Sequence, residues 1–364
     1  MSEQAAWATL ALTPGVGPAA FLRLIERFGS ARAALDAGRT AWTALLPRDT
    51  ADALAAGAGA AAAEAALAWA EQEGCFLLTL LDDDYPERLA QSPSPPPLLF
   101  GRGRRELLAR DMLAVVGSRK ASAQGAQSAH AFARALSAQG YTVVSGLAAG
   151  IDAAAHQGAL EAAGASIAVV GTGIDRVYPA SNRLLAHRLA NEGLILSEFA
   201  LGSGPLAAHF PQRNRIIAGL CRGCLVVEAG TESGSLITAR LALEAGREVM
   251  AVPGSILSPL SRGCHRLIRE GARLVESADD IFDEVGRPAP PPAAEAPVAT
   301  AAEDGGDDAA CAAILDAMGF DPVDLDTLLG RVGLTAAAIY PMLLALEMQG
   351  RVAVLGGNRY QRLS

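Results

Sequence analysis

Lysine and aromatic residues are scarce in this sequence of 364 residues. Lys120 is its only lysine, so arginine supplies nearly all of the 30 basic residues, and aromatic residues make up 5% of the chain. Asp and Glu number 39, which gives a formal net charge of −9 at pH 7. This balance excludes a protein that binds nucleic acid over its whole surface, so any polyanion site must be a local cluster of cations.

Cysteine is too sparse to predict a disulfide framework or a zinc site. The five cysteines are an odd number, and Cys221–Cys224 is a single C-x-x-C without the second pair that structural zinc usually needs. We therefore expect free thiols that fill apolar space in a reducing compartment. Neither a metal nor a cofactor is predicted.

Long uncharged apolar runs are also absent. Asp52 and Glu64 interrupt the Ala-rich run over 51–70, which therefore predicts a helix of a soluble domain and no membrane contact. The first eight residues hold Glu3 and no basic residue, unlike a secretory leader. We expect the chain in the cytoplasm.

Length and shifts in composition divide the chain into four predicted segments. Residues 1–72 predict a helical domain, whose Pro-Gly-Val-Gly turn at 14–17 is typical of a helix-hairpin-helix (SAM-like) fold, or simply of a packing module. Residues 287–308 are rich in Pro and Ala and then acidic, which is typical of a disordered linker. Residues 309–364 predict three helices and a hairpin, the pattern of a winged-helix domain.

Residues 73–286 alternate apolar strands with helices, which predicts α/β structure with a parallel sheet covered on both faces. A first strand is predicted over 75–81. The following strands are predicted at Met112–Val116, Tyr141–Val144, Ile167–Val170, Leu194–Leu196, Leu225–Val227 and Val249–Val252. In such sheets, ligands bind outside the carboxyl ends of the strands.

Loops rich in Gly, Ser and Thr follow four of these strands, at 117–119, 145–150, 171–173 and 228–235. A Gly-Ser turn can direct backbone N–H groups outward, and the next helix start adds partial positive charge, so the first loop predicts a phosphate site. None of the loops is G-x-G-x-x-G, a Walker-type GK[ST] or G-x-S-x-G. A dinucleotide enzyme, a P-loop enzyme and a serine hydrolase are therefore poor fits.

Phe210 stands among basic residues. Arg213, Arg215 and Arg222 follow it without an intervening acid, and residues 101–130 add six cations. A base stacked on the ring, with phosphates held by arginine, is a usual way to bind a single strand. Alternatively, the ring fills the core and the arginines form ion pairs.

Asp152 and His156 lie one helical turn apart after the second loop. They are either an acid–base pair or a helix cap beside a hydrogen-bonded histidine. We favour the second interpretation, and no catalytic residue is predicted.

Seven motifs, in this order, make residues 85–285 resemble the DNA-processing protein A (DprA, or Smf) family. They are YPERL, VGSR, SGLAAGIDAAAH, GTGIDRVYP, FPQRNRIIAGL, VVEAGTESGSLITA and AVPG. The resemblance implies that residues 73–286 form an extended Rossmann-like core. It further implies a homodimer that binds and protects incoming single-stranded DNA. It also implies loading of the RecA recombinase on that DNA during natural transformation and recombination.

Thirteen residues are predicted to contact nucleic acid, from the loops and from the resemblance together. They are Gly117, Ser118, Arg119, Lys120, Ser145, Gly146, Gly150, Phe210, Arg213, Asn214, Arg215, Gly234 and Ser235. Within this set, the resemblance assigns phosphate binding to 117–119 and base stacking to Phe210. His209 stands where a small polar residue is expected.

Two rival functions remain. A nucleotide phosphoribohydrolase of the lysine-decarboxylase-like family would use Gly230–Glu232, but the leading PGG of that family's motif is missing. A winged-helix transcription regulator would bind one duplex sequence tightly, yet the third predicted helix, 336–349, carries Glu347 and no Arg or Lys. That helix therefore favours protein contact or weak DNA contact over reading of a groove.

Overall fold

The computed structural model describes residues 2–162, 164–288, 308–356 and 359–363. Within these ranges, nine strands form one large sheet. They are β1 (Cys75–Thr79), β2 (Leu98–Gly103), β3 (Met112–Val116), β4 (Thr142–Ser145), β5 (Ser166–Val169), β6 (Leu194–Ser197), β7 (Gly223–Val226), β8 (Glu248–Ala251) and β9 (Arg273–Leu274).

The strand order is β1-β2-β6-β5-β4-β3-β7-β8-β9. The chain runs outward from β3 through β4 and β5 to β6, and then returns to the other side of β3 as β7. The sheet is parallel from β6 to β9, whereas β2 pairs antiparallel with both β1 and β6. A crevice therefore opens at the carboxyl ends of β3 and β7, where the strand order reverses.

The two faces of the sheet alternate along each strand because successive side chains point to opposite sides. In β3, Met112, Ala114 and Val116 join one apolar layer, and Leu113 and Val115 join the other. The helices of the core, which cover both faces, are α7 (Glu87–Ala90), α8 (Ala123–Ala138), α9 (Ile151–Leu160), α10 (Arg183–Glu192), α11 (His209–Leu220), α12 (Gly234–Glu244), α13 (Arg262–Arg269) and α14 (Ala278–Val285).

The six strands predicted between 112 and 252 are all present, with ends that agree with the prediction to within two residues. The predicted strand over 75–81 ends earlier, at Thr79. Strand β2 was not predicted, because the proline-rich turn before it masked the short apolar run that begins at Leu98.

The first domain is helical, as predicted. An apolar core holds it together, in which Trp7 and Phe21 contact each other with ring centroids 4.7 Å apart. The Trp7 indole donates a buried hydrogen bond of 2.7 Å to the Pro97 carbonyl, which joins this domain to the sheet. Its helices are α1 (Glu3–Ala11), α2 (Pro18–Phe28), α3 (Ala31–Asp36), α4 (Arg39–Thr43), α5 (Arg48–Ala55) and α6 (Ala60–Ala70).

The last domain has the predicted winged-helix order. Its elements are α15 (Asp308–Met318), β10 (Val323–Asp324), α16 (Leu325–Val332), α17 (Ala336–Met348), β11 (Val352–Leu355) and β12 (Arg359–Arg362). Most of the predicted linker, residues 289–307, lies outside the described residues. The predicted boundary at 72 falls between α6 and β1, and the domain limits stay predictions.

In the described part of the chain, no single helix is long and apolar enough to cross a membrane. Only when taken together do helices α5 and α6 have the length and composition of a membrane span, and the angle between them is 65°. The five cysteines are free, and all but Cys75 are buried, in agreement with a packing role.

Helices α8 and α9, which follow β3 and β4, approach each other closely at Gly158. A Cβ built on Gly158 would lie 2.1 Å from the carbonyl oxygen of His130, and backbone cannot swing away as a side chain can. We expect Gly158→Ala to lower the free energy of unfolding by about 1–3 kcal/mol, although alanine favours helix. Chemical denaturation followed by circular dichroism measures this change.

Gly330→Ala is the matched control, because Gly330 lies inside α16 with no atom within 4 Å of the added Cβ. It should stabilise its domain by up to about 1 kcal/mol. Equal effects of the two substitutions would contradict the close approach of α8 and α9.

Candidate nucleic-acid interface

The crevice at the carboxyl ends of β3 and β7 holds a cavity of about 820 Å³. Its walls come from the loops after these two strands, from the first half of α11 and from the start of α13. Four cations line it, Arg119, Lys120, Arg213 and Arg262, together with the acids Asp152 and Glu232. The site predicted at the edge of the sheet is therefore a real concavity with an excess of positive charge.

The loop after β3 is tied to the end of β7. The Ser118 amide donates to the Glu228 carbonyl at 2.7 Å, and the Ser118 carbonyl accepts from the Ile151 amide at 3.1 Å. A Cβ on Gly117 would lie 2.8 Å from that Glu228 carbonyl, which explains the glycine. The expectation that the Ser118 amide faces a ligand is therefore wrong, because the neighbouring strand end already accepts its hydrogen bond.

Glu228 also fixes the start of α8 through its carboxylate. This group accepts from the Ser122 amide at 2.9 Å and from the Ser122 hydroxyl at 2.6 Å. The Ser122 hydroxyl caps α8 by accepting from the Gly125 amide at 2.9 Å. Sequence reasoning treated Glu228 only as part of a Gly-rich loop, although an acid directly after a buried strand was the available signal.

Arg213 is a buried cation, only 4% exposed, at the floor of the cavity. Its guanidinium donates to the Val169 carbonyl and occupies the space beside Gly146, where a Cβ would lie 2.0 Å from Nη1. Burial lowers the pKa of Arg213 to about 10, against the opposing charge of Asp152. In the described part of the chain, its Nε has no hydrogen-bond partner.

Asp152 organises the second loop and is not placed as a general acid or base. Its Oδ2 accepts from the amides of Gly146 at 3.1 Å and Ala148 at 3.3 Å. Burial raises the pKa of this carboxyl, while the Arg213 charge and the two amides oppose the shift. The prediction that Asp152 caps a helix is wrong, because Gly150 is the N-cap of α9 and Asp152, in the first turn, accepts from amides of the loop before the helix.

His156 holds the same loop, which follows β4, through a hydrogen bond of its ring. Its Nε2 accepts from the amide of Leu147, a residue with φ of 57°, at 3.3 Å, and its Nδ1 lies 2.7 Å from the Ser166 hydroxyl. Because that hydroxyl itself donates to the Val143 carbonyl, Nδ1 carries the proton and the ring is neutral. Burial lowers the pKa of His156 from 6.5 to about 3.

Phe210 is partly exposed on the cavity wall and does not fill the core. The Arg119 guanidinium carbon lies 5.0 Å from the centre of its ring, and the Tyr178 ring lies 5.9 Å away. His209 stacks on Phe199 with centroids 3.9 Å apart and donates through Nδ1 to the Gly171 carbonyl, so it anchors the start of α11. The structure thus brings together Arg119 and Phe210, which were both predicted to contact nucleic acid.

Four residues of the predicted set do not line the cavity. Ser145 is fully buried and donates to the Val115 carbonyl, Gly146 packs on Arg213, and Gly150 packs on the Ser118 carbonyl. Arg215 pairs with Glu198 and donates to the Ser94 carbonyl at 2.7 Å. Side chains two positions apart on an α-helix differ by about 200° around its axis, so Arg213 and Arg215 point to different sides of α11.

The other nine residues of the set do line the cavity, among them Asn214, Gly234 and Ser235. Arg262, at the start of α13, was missed because the loop before it carries no motif that places it near β3. Among the described residues, no group of three or more His, Cys, Asp and Glu could hold a metal ion.

Comparison with known proteins gives the family. The family model described as DNA recombination-mediator protein A matches residues 76–286. This chain belongs to that family. A model of the DprA winged helix domain matches 287–358, and one of the DprA-like N-terminal HHH domain matches 1–66. The resemblance inferred from the motifs and the predicted three-part fold are confirmed.

Two curated relatives illustrate the similarity. The chain is 52% identical over 206 residues to the DNA processing protein DprA of Streptococcus pneumoniae, covering 57% of this chain and 73% of the relative. It is 40% identical over 305 residues to protein Smf of Escherichia coli, covering 82% of this chain and 80% of that protein.

Two solved structures share the fold. The X-ray structure of DprA from S. pneumoniae matches with a TM-score of 0.64 and 41% identity, over 78% of this chain and 98% of that one. The DprA structure from Helicobacter pylori matches with a TM-score of 0.52 and 27% identity, over 57% of this chain and 94% of that one. The latter is described as revealing a single-stranded DNA binding mode of that protein.

The buried neutral state of His156 makes stability depend on pH. Its pKa is lower in the folded chain than in the unfolded one, so its contribution is complete above pH 6.5 and is lost as pH falls toward 3. Between pH 7 and pH 5 we expect wild type to lose about 2 kcal/mol more stability than His156→Asn does. Urea unfolding at the two pH values measures this difference.

His187→Asn is the control, because His187 is exposed on α10. It should keep the pH dependence of wild type. A His156→Asn variant with the same pH dependence as wild type would show that the ring is not buried in its neutral form.

Proposed function

We propose that this protein binds single-stranded DNA in the crevice between β3 and β7. In this proposal it protects incoming DNA and loads the RecA recombinase on it during natural transformation and recombination. It works in the cytoplasm as a homodimer, uses no cofactor and catalyses no reaction on the DNA. Family membership supports the coarser statement, a role in DNA processing and recombination.

The contact between Arg119 and Phe210 is the observation that carries DNA binding. A guanidinium at 5.0 Å from a partly exposed ring places a phosphate-binding group beside a stacking surface. Base stacking and backbone neutralisation are the two terms by which proteins bind single strands without sequence preference. The ring faces the cavity, so both terms are available to the same strand.

The distribution of charge supports a local site. Four cations and two acids line the cavity, while the whole chain carries −9. Arg119, Lys120 and Arg262 are exposed at this wall, where phosphates can reach them. The negative remainder of the surface would repel DNA, which favours binding at one place over binding everywhere.

Relatives support single-strand binding and a role in recombination. The H. pylori relative is described as binding single-stranded DNA, and the matched family model describes recombination mediators. Loading of RecA, homodimerisation and the role in transformation come from the family resemblance.

The winged-helix domain fits protein contact better than reading of a DNA groove. Helix α17 carries no Arg or Lys and exposes Tyr340, Leu344 and Met348, four residues apart, along one side. Such an apolar side offers little to phosphates. This composition argues against the transcription-regulator alternative.

A nucleotide phosphoribohydrolase is the second candidate, because Thr231 and Glu232 lie on the cavity wall. A carboxylate there could contact a ribose. The missing PGG before this segment argues against that chemistry.

Fluorescence anisotropy with a labelled single strand and a matched duplex, over a salt series, tests the proposal. Arg119→Ala and Phe210→Ala should each weaken single-strand binding by about tenfold, because a charged contact and a stacked base are lost. Arg119→Ala should also reduce the slope of log affinity against log salt by about one contact's worth.

Arg273→Ala is the matched control, since Arg273 is an exposed arginine on the edge strand β9, and it should bind as wild type does. If Arg119→Ala and Phe210→Ala also bind as wild type does, or if wild type does not bind, DNA binding in this crevice is wrong. Incubation with AMP then tests the nucleotide phosphoribohydrolase alternative, which predicts release of adenine.

A further inference from the structure

We propose that Tyr178 is a second platform for a nucleobase, beside Phe210, so that the interface stacks two bases. The inference rests on the proposed binding of single-stranded DNA and extends it along the strand. Tyr178 lies in the loop after β5, outside the segments to which the motifs assign DNA contacts.

The first argument is the exposure of the ring. Tyr178 is 47% exposed, and its hydroxyl makes no hydrogen bond with another residue in the part of the chain that the structure describes. A large aromatic surface left in water costs free energy unless a partner covers it.

The second argument is the position of the ring next to Phe210. The two centroids are 5.9 Å apart and the planes are inclined by 40°, so the rings touch without covering each other. Each ring keeps surface on which a base can stack. If one base of a DNA strand stacks on Phe210, a neighbouring base of the same strand would therefore reach Tyr178.

The third argument is that the loop is rigid where it presents this ring. The Thr172 hydroxyl donates to the Arg176 carbonyl at 2.9 Å, and Asp175 accepts from the Gly202 amide at 2.9 Å. After Tyr178, the Asn182 amide group donates to the carbonyls of Leu147 and Ala148. A platform that is already ordered costs less conformational entropy on binding.

Arginines before and after Tyr178 in the sequence favour a polyanion as the occupant. Arg176 and Arg183 are exposed and form no ion pair with another described residue. The carboxylate of Asp175, the nearest acid in sequence, is directed at the Gly202 amide. Guanidinium groups beside an aromatic ring are the combination that single-strand sites use.

Tyr178→Ala tests the inference in the anisotropy assay with the full chain and an oligothymidylate. We expect a loss of affinity of about five- to thirtyfold, because the variant loses the stacking of one base. The salt slope should be unchanged, because no phosphate contact is lost. Tyr178→Phe keeps the ring and should bind as wild type does. Tyr340→Ala, which removes an equally exposed tyrosine of α17, is the matched control and should also bind normally.

An oligomer of the same length made of abasic nucleotides separates stacking from a structural effect. On this backbone without bases, Tyr178→Ala should bind as well as wild type. A loss of equal size on both oligomers would mean that the substitution disturbs the site, and a loss with Tyr178→Phe would mean that the hydroxyl acts; either result overturns the stacking role.

The Arg119→Ala and Phe210→Ala variants keep the two proposals distinguishable. If these two weaken binding and Tyr178→Ala does not, the second platform is wrong and the proposed function stands. If none of the three weakens binding, the crevice is not the DNA site and both proposals fail.

Discussion

The buried guanidinium of Arg213 is the interaction on which the shape of the crevice depends. A charge removed from water costs several kcal/mol unless other groups compensate it. Here the Val169 carbonyl accepts from it, the Asp152 carboxylate opposes its charge, and Gly146 leaves it room. Asp152 in turn holds the amides of Gly146 and Ala148, so the cation and the loop after β4 order each other.

The loops around this centre are therefore set before any ligand arrives. Glu228 joins the ends of β3 and β7, and His156 and Asn182 hold the loop after β4 from its other side. Phosphates would meet only the outer cations, Arg119 among them, since Arg213 lies at the floor. Loops that are held by hydrogen bonds and that carry exposed cations suit a ligand that varies in sequence.

Sequence reasoning reached the fold and the edge of the sheet, because apolar strands followed by Gly-rich turns repeat with a clear period. It could not tell which of Arg213 and Arg215 lines the cavity. The two point to different sides of α11, and the sequence does not show how that helix is rotated against the sheet. The N–H groups of the Gly-Ser turn were expected to face outward, but the Ser118 amide bonds to Glu228 across the switch point, more than a hundred residues away in the chain. Sequence reasoning did not single out Tyr178, although it lies in the GTGIDRVYP motif, because its contact is with Phe210 of α11, a residue distant in the chain.

Photo-crosslinking of a single strand carrying 5-iodouracil, followed by mass spectrometry of the joined peptides, tests most directly where DNA binds. The account predicts that the crosslinks concentrate on the peptides that hold Phe210 and Tyr178, and that unlabelled single strand competes them away. Crosslinks confined to the N-terminal helical domain or to the winged-helix domain, with none in the crevice between β3 and β7, would contradict it.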